Sequence, residues 1–456
     1  TSGKVFHRVI ERERRGDFLG KTIQIFPHVI NEIQQWWYEI AEREHADIMM
    51  IEIGGTIGDI ENSWFTEAAR QLKRRVGDDV VYIHLTYVPF LDSVGEPKTK
   101  PAQRDVALLR EKGIAPDVII ARSRMPLSTK LKEKLAMFCD VSPHQVISGH
   151  DIDSVYEIPL MFDSEGIMKI IGPRLGITAN PDLTHWRKLV ERIKAPKNVV
   201  TIAIGGKYTE LRDSYASIIE ALNHAGANAD TRVLLRWVEA TDIEEGKRTV
   251  EESLQGVDGL LVPGGFGSRG TEGKMSLIQF AREHNIPFLG ICYGLQLAVI
   301  EFARNVCGLV GANSTEINPQ TPHPVVDILP DQRTVNRKGG TMRLGAYEAV
   351  LENKSAIAQL YGAATATERH RHRYEVNPSY HTVLLDGGIR FSGRSHDGRL
   401  VEFIELPGHR YFVATQAHPE LTSRLERPNP LFGGLVNAAL SRHNAVQPVS
   451  SVEANI

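Results

Sequence analysis

The sequence predicts an α/β protein built from two doubly wound, mainly parallel-sheet domains. Apolar strand-like runs alternate with amphipathic helical stretches. The alternation breaks at a polar segment near residues 183–197 and then restarts. The 456 residues also exceed the span of one core, which rarely grows past roughly 250 to 300 residues. Buried strands alternating with helices imply crossover connections and a parallel sheet covered on both faces.

The first series opens with an amphipathic stretch, Val5 to Arg15. Strands are expected at Ala46 to Ile53, Val80 to Phe90, Asp117 to Ala121 and Gln145 to Ser148, with helices at Phe65 to Arg75 and Pro101 to Lys112. A polar helix, Leu183 to Lys194, followed by Ala-Pro-Lys-Asn, reads as the joint between domains. The expected division is a first domain at 1–182, a linker at 183–197, a second domain at 198–444 and a flexible polar tail at 445–456. In the second series, strands are expected at Val199 to Ile204, Thr231 to Val238, Gly259 to Val262 and Pro287 to Ile291, and helices at Asp213 to Ala225 and Lys274 to Glu283. After about Gly388 the pattern becomes hairpin-like: Ile389 to Gly393, Leu400 to Glu405 and Tyr411 to Thr415 are separated by Asp-Gly and Pro-Gly turns.

Composition narrows the function classes. Charged residues at 24% and hydrophobic residues at 42% argue against general disorder. A formal net charge of -3 gives no electrostatic reason to seek nucleic acid, so an anionic ligand must meet a local basic site. Cys139, Cys292 and Cys307 are too scattered for a disulfide framework, which favours a reducing, cytoplasmic setting. The apolar runs fall far short of the ~20 residues a membrane helix needs, and no signal peptide pattern is present.

The most informative segment is Ile286 to Gln296, where an apolar strand runs into Gly290-Ile291-Cys292-Tyr293-Gly294 and then into an amphipathic helix. This is a nucleophile elbow with sulfur in place of oxygen. The glycines permit a tight turn, and the positive end of the helix favours the thiolate. A lone cysteine beside an apolar strand is ordinarily a core residue, the reading given to Cys139 and Cys307. A thiol nucleophile needs a base, and the base needs an orienting group. Gln416-Ala417-His418-Pro419-Glu420 offers both, with Pro419 stiffening the turn between imidazole and carboxylate. Pro263-Gly264-Gly265-Phe266-Gly267, after the strand Gly259 to Val262, offers unshielded backbone N–H groups. Gly265 and the Tyr293 N–H are the expected oxyanion donors.

In this order the three segments resemble the class I (triad) glutamine amidotransferases, which hydrolyse glutamine through a cysteinyl thioester and release ammonia. Further segments are similar to the CTP synthase family: Glu13 to Gly20, Ile51 to Glu61, Gly95 to Gln103, Ala312 to Glu316, Gly339 to Gly345 and Glu368 to Asn377. The resemblance runs from Thr1 to about Leu440. It implies a P-loop-NTPase-like amidoligase domain before the glutaminase domain, with ATP phosphorylating the 4-oxygen of UTP and ammonia displacing the phosphate to give CTP. An internal passage for ammonia between domains and a homotetramer belong to the same expectation.

The resemblance implies catalytic roles for Cys292, His418 and Glu420, and glutamine binding by Gly265, Tyr293, Gly294, Leu295, Gln296, Glu316 and Arg373. A carboxylate suits the α-amino group and a guanidinium suits a carboxylate. For UTP it implies Lys98, Thr99, Lys100, Pro101, Ala102, Gln103 and Lys134, the loop placing cations just before a helix whose first-turn proline is favourable. Asp59, Ile60 and Glu61 match the segment that contacts pyrimidine nucleotide, including inhibitory CTP. His150, Asp151 and Ile152 match the ATP contacts, although the family often has Lys where His150 stands. Glu52, expected at the end of a buried parallel strand where a lone carboxylate is costly, is the implied Mg²⁺ ligand. GTP is the implied activator, with the Phe266 to Gly273 loop, including Arg269 and Glu272, as a lid near its site. His370 and His372 are not read as metal ligands, because arginines flank them and no Cys or carboxylate set accompanies them in sequence.

Tyr293 stands where Leu is commoner and Ala102 where Thr is common, and neither change removes a backbone contact. The family's glycine-rich phosphate loop and an upstream Mg²⁺-binding Asp would fall before Thr1, and no Gly-x-x-x-x-Gly-Lys-Ser/Thr occurs in the chain. The expectation is therefore a chain lacking its N-terminal part and impaired in the ATP-dependent step. Two other readings stay open: a different or stand-alone class I glutaminase, which leaves Lys98 to Gln103 unexplained, and a non-catalytic filament or regulatory subunit, which would have a broken triad.

Overall fold

The chain divides into two units, Thr1–Leu183 and Thr184–Ile456. The computed structural model describes residues 1–93, 95–178, 180–207, 212–328 and 343–446. Residues 339–342 of the Gly339 to Gly345 segment, and the expected tail from 447 on, lie outside the described residues.

In the first unit, α1 (Ser2–Arg15), α2 (Ile30–Arg43) and α3 (Ser63–Val76) enclose a small core of Val5, Val9, Ile30, Ile33 and Ala68. Val5 and Val9 share a helix face at i, i+4, while Arg8 and Arg12 reach the buried Glu32 of α2. Two guanidiniums thus compensate a carboxylate that would be costly alone.

The sheet of this unit is three-stranded and parallel. β1 (Ile83–Val88) is followed by a short pair, β2 (Phe90–Leu91) and β3 (Glu96–Pro97), then by α4 (Lys100–Glu111), β4 (Val118–Ser123), α5 (Thr129–Cys139) and β5 (Val146–His150). Strand order is β1-β4-β5, with Val88, Ala102, Val106, Ile119, Ala121, Leu135 and Val146 in its core. Helices α6 (Ile158–Ser164) and α7 (Ile167–Arg174) follow.

One expected strand is corrected. Ala46 to Ile53 forms no strand, and Ile48 and Met50 are exposed. An apolar run is only a candidate strand, because a strand exists through hydrogen bonds to a neighbour. Among the described residues β1 pairs with β4 alone, so this run has no ladder to join.

The second unit begins with α8 (Thr184–Lys194), inside the segment expected as a linker; this helix packs on α9. The alternating series follows: β6 (Asn198–Gly206), α9 (Ala216–Asn228), β7 (Thr231–Glu239), α10 (Ala240–Glu244), α11 (Val250–Leu254), β8 (Gly259–Val262), α12 (Thr271–Glu283), β9 (Phe288–Ile291) and α13 (Tyr293–Asn305). Next come β10 (Ala312–Ser314), β11 (His323–Ile328), β12 (Arg343–Leu351), β13 (Thr365–His372), β14 (Tyr374–Val376), β15 (Arg390–Arg394), β16 (Val401–Glu405), β17 (Phe412–Thr415) and the helix Pro430–Val446.

Nine strands form one sheet in the order β13-β12-β15-β16-β17-β9-β8-β6-β7. The half from β17 to β7 is parallel and the half from β13 to β16 antiparallel, joined where β16 pairs with β17. Alternation divides the side chains. Leu260, Val262 and Phe288 pack with α12 and α13 on one face, and Leu261, Leu289 and Ile291 pack with α9 and Pro430–Val446 on the other.

Candidate active site

Cys292 sits where β9 ends and α13 begins, with φ 51 and ψ -99. A positive φ at a residue with a side chain is strained and persists only where its surroundings impose it. The neighbours do so. A Cβ on Gly290 would stand 2.8 Å from the Ala414 Cβ, and one on Gly294 only 2.2 Å from the Val262 carbonyl oxygen. The Cys292 N–H donates to the Thr415 carbonyl at 2.7 Å, tying the elbow to β17, and the residue is 5% exposed. As the first residue of α13, Tyr293 has no acceptor for its N–H within the helix.

β17 delivers the second group. His418 follows it by three residues, its N–H held by the Arg369 carbonyl at 2.7 Å, and Pro419 opens a short 3-10 turn. His418 Nδ1 lies 2.8 Å from Glu420 Oε1, which leaves Nε2 for another partner. A Cβ on Gly264 would stand 2.9 Å from His418 Cε1 and 3.6 Å from the Cys292 Cβ, so the loop after β8 packs against both residues. Burial opposes charge on His418, but hydrogen bonds to Cys292 and Glu420, and then their charges, push the imidazole pKa up to about 10. Of the sequence-predicted trio, His418 is hydrogen-bonded to Glu420, and Cys292 and His418 both lie against Gly264.

The glutamine-binding expectation converges on the same place. Glu316 Oε1 accepts from the Gly267 N–H at 3.0 Å, and the Tyr293 hydroxyl donates to the Gly267 carbonyl, so one glycine fixes both side chains. Gly265 lies against the Tyr293 ring, and Glu316 and Arg373 both act electrostatically on Tyr374. Gly294 and Leu295 are buried in the first turn of α13. Gln296, 2% exposed, donates to the Tyr374 carbonyl at 3.0 Å, while its Oε1 has no partner among the described residues.

In the first unit the expected nucleotide residues fall on separate elements: Lys98 follows β3, His150 ends β5, Asp59 to Glu61 lead into α3, and Lys134 is exposed on α5. Thr99 caps α4, with its hydroxyl accepting from Gln103 at 3.1 Å, and the buried Ala102 packs beneath. Lys100 and Pro101 are exposed in the first turn. Lys98 is ion-paired with Glu96, whose pKa is lowered by that hydrogen bond and by the charges of Lys98 and Lys134. Asp59 accepts from the Thr56 N–H at 3.0 Å, and Ile60 and Glu61 are exposed beside it. At the end of β5, Asp151 pairs with Arg122 at 2.7 Å and follows His150, with Ile152 half-buried next.

Family models match both parts of the chain: CTP synthase N-terminus over residues 1–177 and glutamine amidotransferase class-I over residues 210–438. The chain is 53% identical to a CTP synthase of Methanocaldococcus jannaschii over 447 residues, 96% of this chain and 82% of that one. It is 52% identical to a CTP synthase of Methanococcus maripaludis over 450 residues, 97% of this chain and 84% of that one.

The chain belongs to the CTP synthase family.

Among solved structures, the glutaminase domain of Trypanosoma brucei CTPS with bound acivicin is similar at 37% identity and a TM-score of 0.50, covering 53% of this chain and 94% of that one.

Membership in the CTP synthase family implies use of ATP and Mg²⁺, but Glu52 does not make a metal cage. It is exposed on a coil, not buried at a strand end, because Ala46 to Ile53 is unpaired. Among the described residues no group of three or more His, Cys, Asp or Glu could hold a metal.

His370 and His372 also differ from expectation. Carboxylates do accompany them, brought from other parts of the sheet: Glu402 lies 3.6 Å from His370, and Glu375 lies 3.5 Å from His372. Arg343 lies between these carboxylates, bonded to Glu402 and 3.6 Å from Glu375. Burial, then the Arg343 charge, lowers His370 to about 2 and His372 to about 3, so both are neutral. Burial raises Glu375 to about 8.

Sequence reading missed two buried polar residues. Lys274, 4% exposed and lowered to about 8 first by burial and then by Lys207, lies over the Tyr293 ring near Gly265. Its signal was a lysine in the apolar stripe of α12 with Ile278 and Ala281, at i+4 and i+7. The second, Gln416, is fully buried with its amide 3.8 Å from Cys292 Sγ.

Proposed function

We propose that this chain is a glutamine-hydrolysing CTP synthase: ammonia freed from glutamine at Cys292 is used to aminate UTP to CTP at the expense of ATP. The observation that carries this reading is that the Gly264 loop packs against both Cys292 and His418 while Glu420 holds His418 Nδ1 at 2.8 Å. The Cys292 thiolate attacks the side-chain carbonyl carbon of glutamine. The oxygen becomes an oxyanion facing the Tyr293 N–H and the Gly264-Gly265 loop. His418 gives its Nε2 proton to the departing nitrogen, so that the C–N bond breaks, ammonia leaves and a thioester remains. Water then attacks the thioester while His418 takes its proton, releasing glutamate and restoring the thiolate–imidazolium pair. Glu420 holds the ring in the orientation that both transfers need. Glu316 and Arg373 suit the α-ammonium and α-carboxylate, and the unpartnered Gln296 Oε1 is an acceptor for a substrate N–H.

For the amination half, Lys98 to Gln103 and Lys134 are proposed to hold the UTP phosphates, Asp59 to Glu61 the pyrimidine nucleotide, and His150 to Ile152 ATP. GTP is proposed to promote hydrolysis through the Phe266 to Gly273 loop, whose Gly267 bonds both Glu316 and Tyr293. The decisive experiment measures glutamate release by the chain and by Cys292→Ala, together with mass-spectrometric labelling by a glutamine-like electrophile. Hydrolysis and labelling at Cys292, both abolished by the substitution, are expected. Glutamate release that survives Cys292→Ala overturns the assignment.

A further inference from the structure

The parallel register Ile291↔Thr415 means that β9 and β17 end side by side. Each is followed by one residue that leaves the sheet beside the other: Cys292 and Gln416. Gln416 is 0% exposed, its N–H held by the Glu402 carbonyl at 2.9 Å and its side-chain amide 3.8 Å from Cys292 Sγ.

Which end of that amide faces the sulfur follows from its neighbours. The Tyr374 carbonyl can only accept, so Gln296 must turn its NH₂ group toward it, at 3.0 Å. The other hydrogen of that NH₂ meets Gln416 Oε1 at 3.3 Å. With its oxygen committed to Gln296, Gln416 has its own NH₂ directed at Sγ. The chain Tyr374 O, Gln296, Gln416, Sγ therefore has one polarity, anchored by a backbone group that cannot reverse it.

We propose that Gln416 is the neutral donor to the Cys292 thiolate, stabilising the anion from the side opposite in kind to the charged His418 and keeping the sulfur aimed while His418 loses and regains its proton. This inference rests on Cys292 being the nucleophile. The sulfur is anionic before it attacks glutamine and again when the thioester is cleaved, and at both points a neutral donor adds to the imidazolium. An amide cannot titrate in this range, so its donor is available whenever the sulfur is anionic. Gln296 then has two roles: its NH₂ sets Gln416, and its oxygen is left for substrate.

The test separates this proposal from the glutaminase reading by using alkylation, which needs no glutamine turnover. The pH profile of Cys292 alkylation by iodoacetamide, located by peptide mass spectrometry, is measured for the 456-residue chain, Gln416→Glu and Gln416→Met. Glu keeps the shape and the acceptor for Gln296 but replaces the NH₂ by a carboxylate, whose charge opposes the thiolate, so it is read only beside the neutral variant. Met keeps the length without a donor. Loss of a hydrogen bond to a charged group should move the midpoint to higher pH by about one unit, with glutamate release at neutral pH reduced ~10-fold or more. Midpoints unchanged in the folded variants overturn the donor role. If Gln416→Met does not fold, Gln416→Leu, also neutral and without a donor, takes its place. Absence of Cys292-dependent glutamate release from the unsubstituted chain would instead sink the glutaminase reading, leaving the alkylation result to judge Gln416.

Discussion

Gly264 lies so close to His418 that a single methyl group at its Cα would come within 2.9 Å of the imidazole Cε1. The glycine loop after β8 and the turn after β17 thus share a surface, and the imidazole is held between that loop and Glu420.

Gly264→Ala should leave the fold intact and displace the ring. A shift of order 1 Å in a reacting group costs about 10²-fold in rate. Glutamate release should fall by that order, while the melting temperature changes by only a few degrees in calorimetry.

Gly294→Ala should behave oppositely. Its methyl would lie 2.2 Å from the Val262 carbonyl oxygen, a backbone atom fixed within the sheet. Overpacking of this kind costs about 3 kcal/mol or more, so urea unfolding should show a large loss of stability.

Glu420→Gln removes the carboxylate from His418 Nδ1 and should reduce turnover by ~10² to 10⁴-fold. It should also lower the His418 pKa from about 10. A raised imidazole pKa contributes stability fully present below the unfolded value of about 6.5 and lost as pH rises to about 10. Glu420→Gln should flatten that alkaline decline, as read by unfolding at pH 6.5 and pH 10.

Buried neutral histidines act at the other end of the pH scale. His372, lowered to about 3 with burial as the main cause, stays uncharged while the unfolded chain takes up a proton below about 6.5. Its contribution is present above 6.5 and lost as pH falls toward 3. The raised carboxyls of Glu368, Glu375 and Glu402 work in the opposite sense. A His372→Gln chain should therefore lose less stability than the unsubstituted chain between pH 6.5 and pH 5, by about 2 kcal/mol.

Glu96 occupies Lys98, which is proposed to hold a UTP phosphate. Glu96→Gln should tighten UTP binding by roughly 2- to 5-fold at low salt, the scale of an exposed ion pair, whereas Lys98→Ala should weaken it. Calorimetric titration with UTP reads both, and both effects should shrink as salt is raised.

Much of the second unit was legible before any coordinates. Gly259 to Val262 was expected and observed with the same bounds, and the remaining parallel strands shifted by a residue or two at their ends. These runs are short, apolar and flanked by turn residues, signals carried within a few neighbours. The nucleophile, its glycines and the His418-Pro419-Glu420 turn were legible for the same reason. The stretch from Ala312 to Val376 was not read as strands. There charged residues such as Arg369 and Arg371 alternate with buried His370 and His372, hiding the strand behind polar side chains.

By itself the sequence determined which residues could react and which segments could be strands, because propensity, periodicity and turn chemistry act over distances the local chain spans. Tertiary structure alone decided partners: that Ala46 to Ile53 stays unpaired, that Glu402 meets His370, and that Gln416 reaches Cys292. Those outcomes depend on strand register and on desolvation of groups distant in sequence, and neither quantity is defined until the sheet has formed.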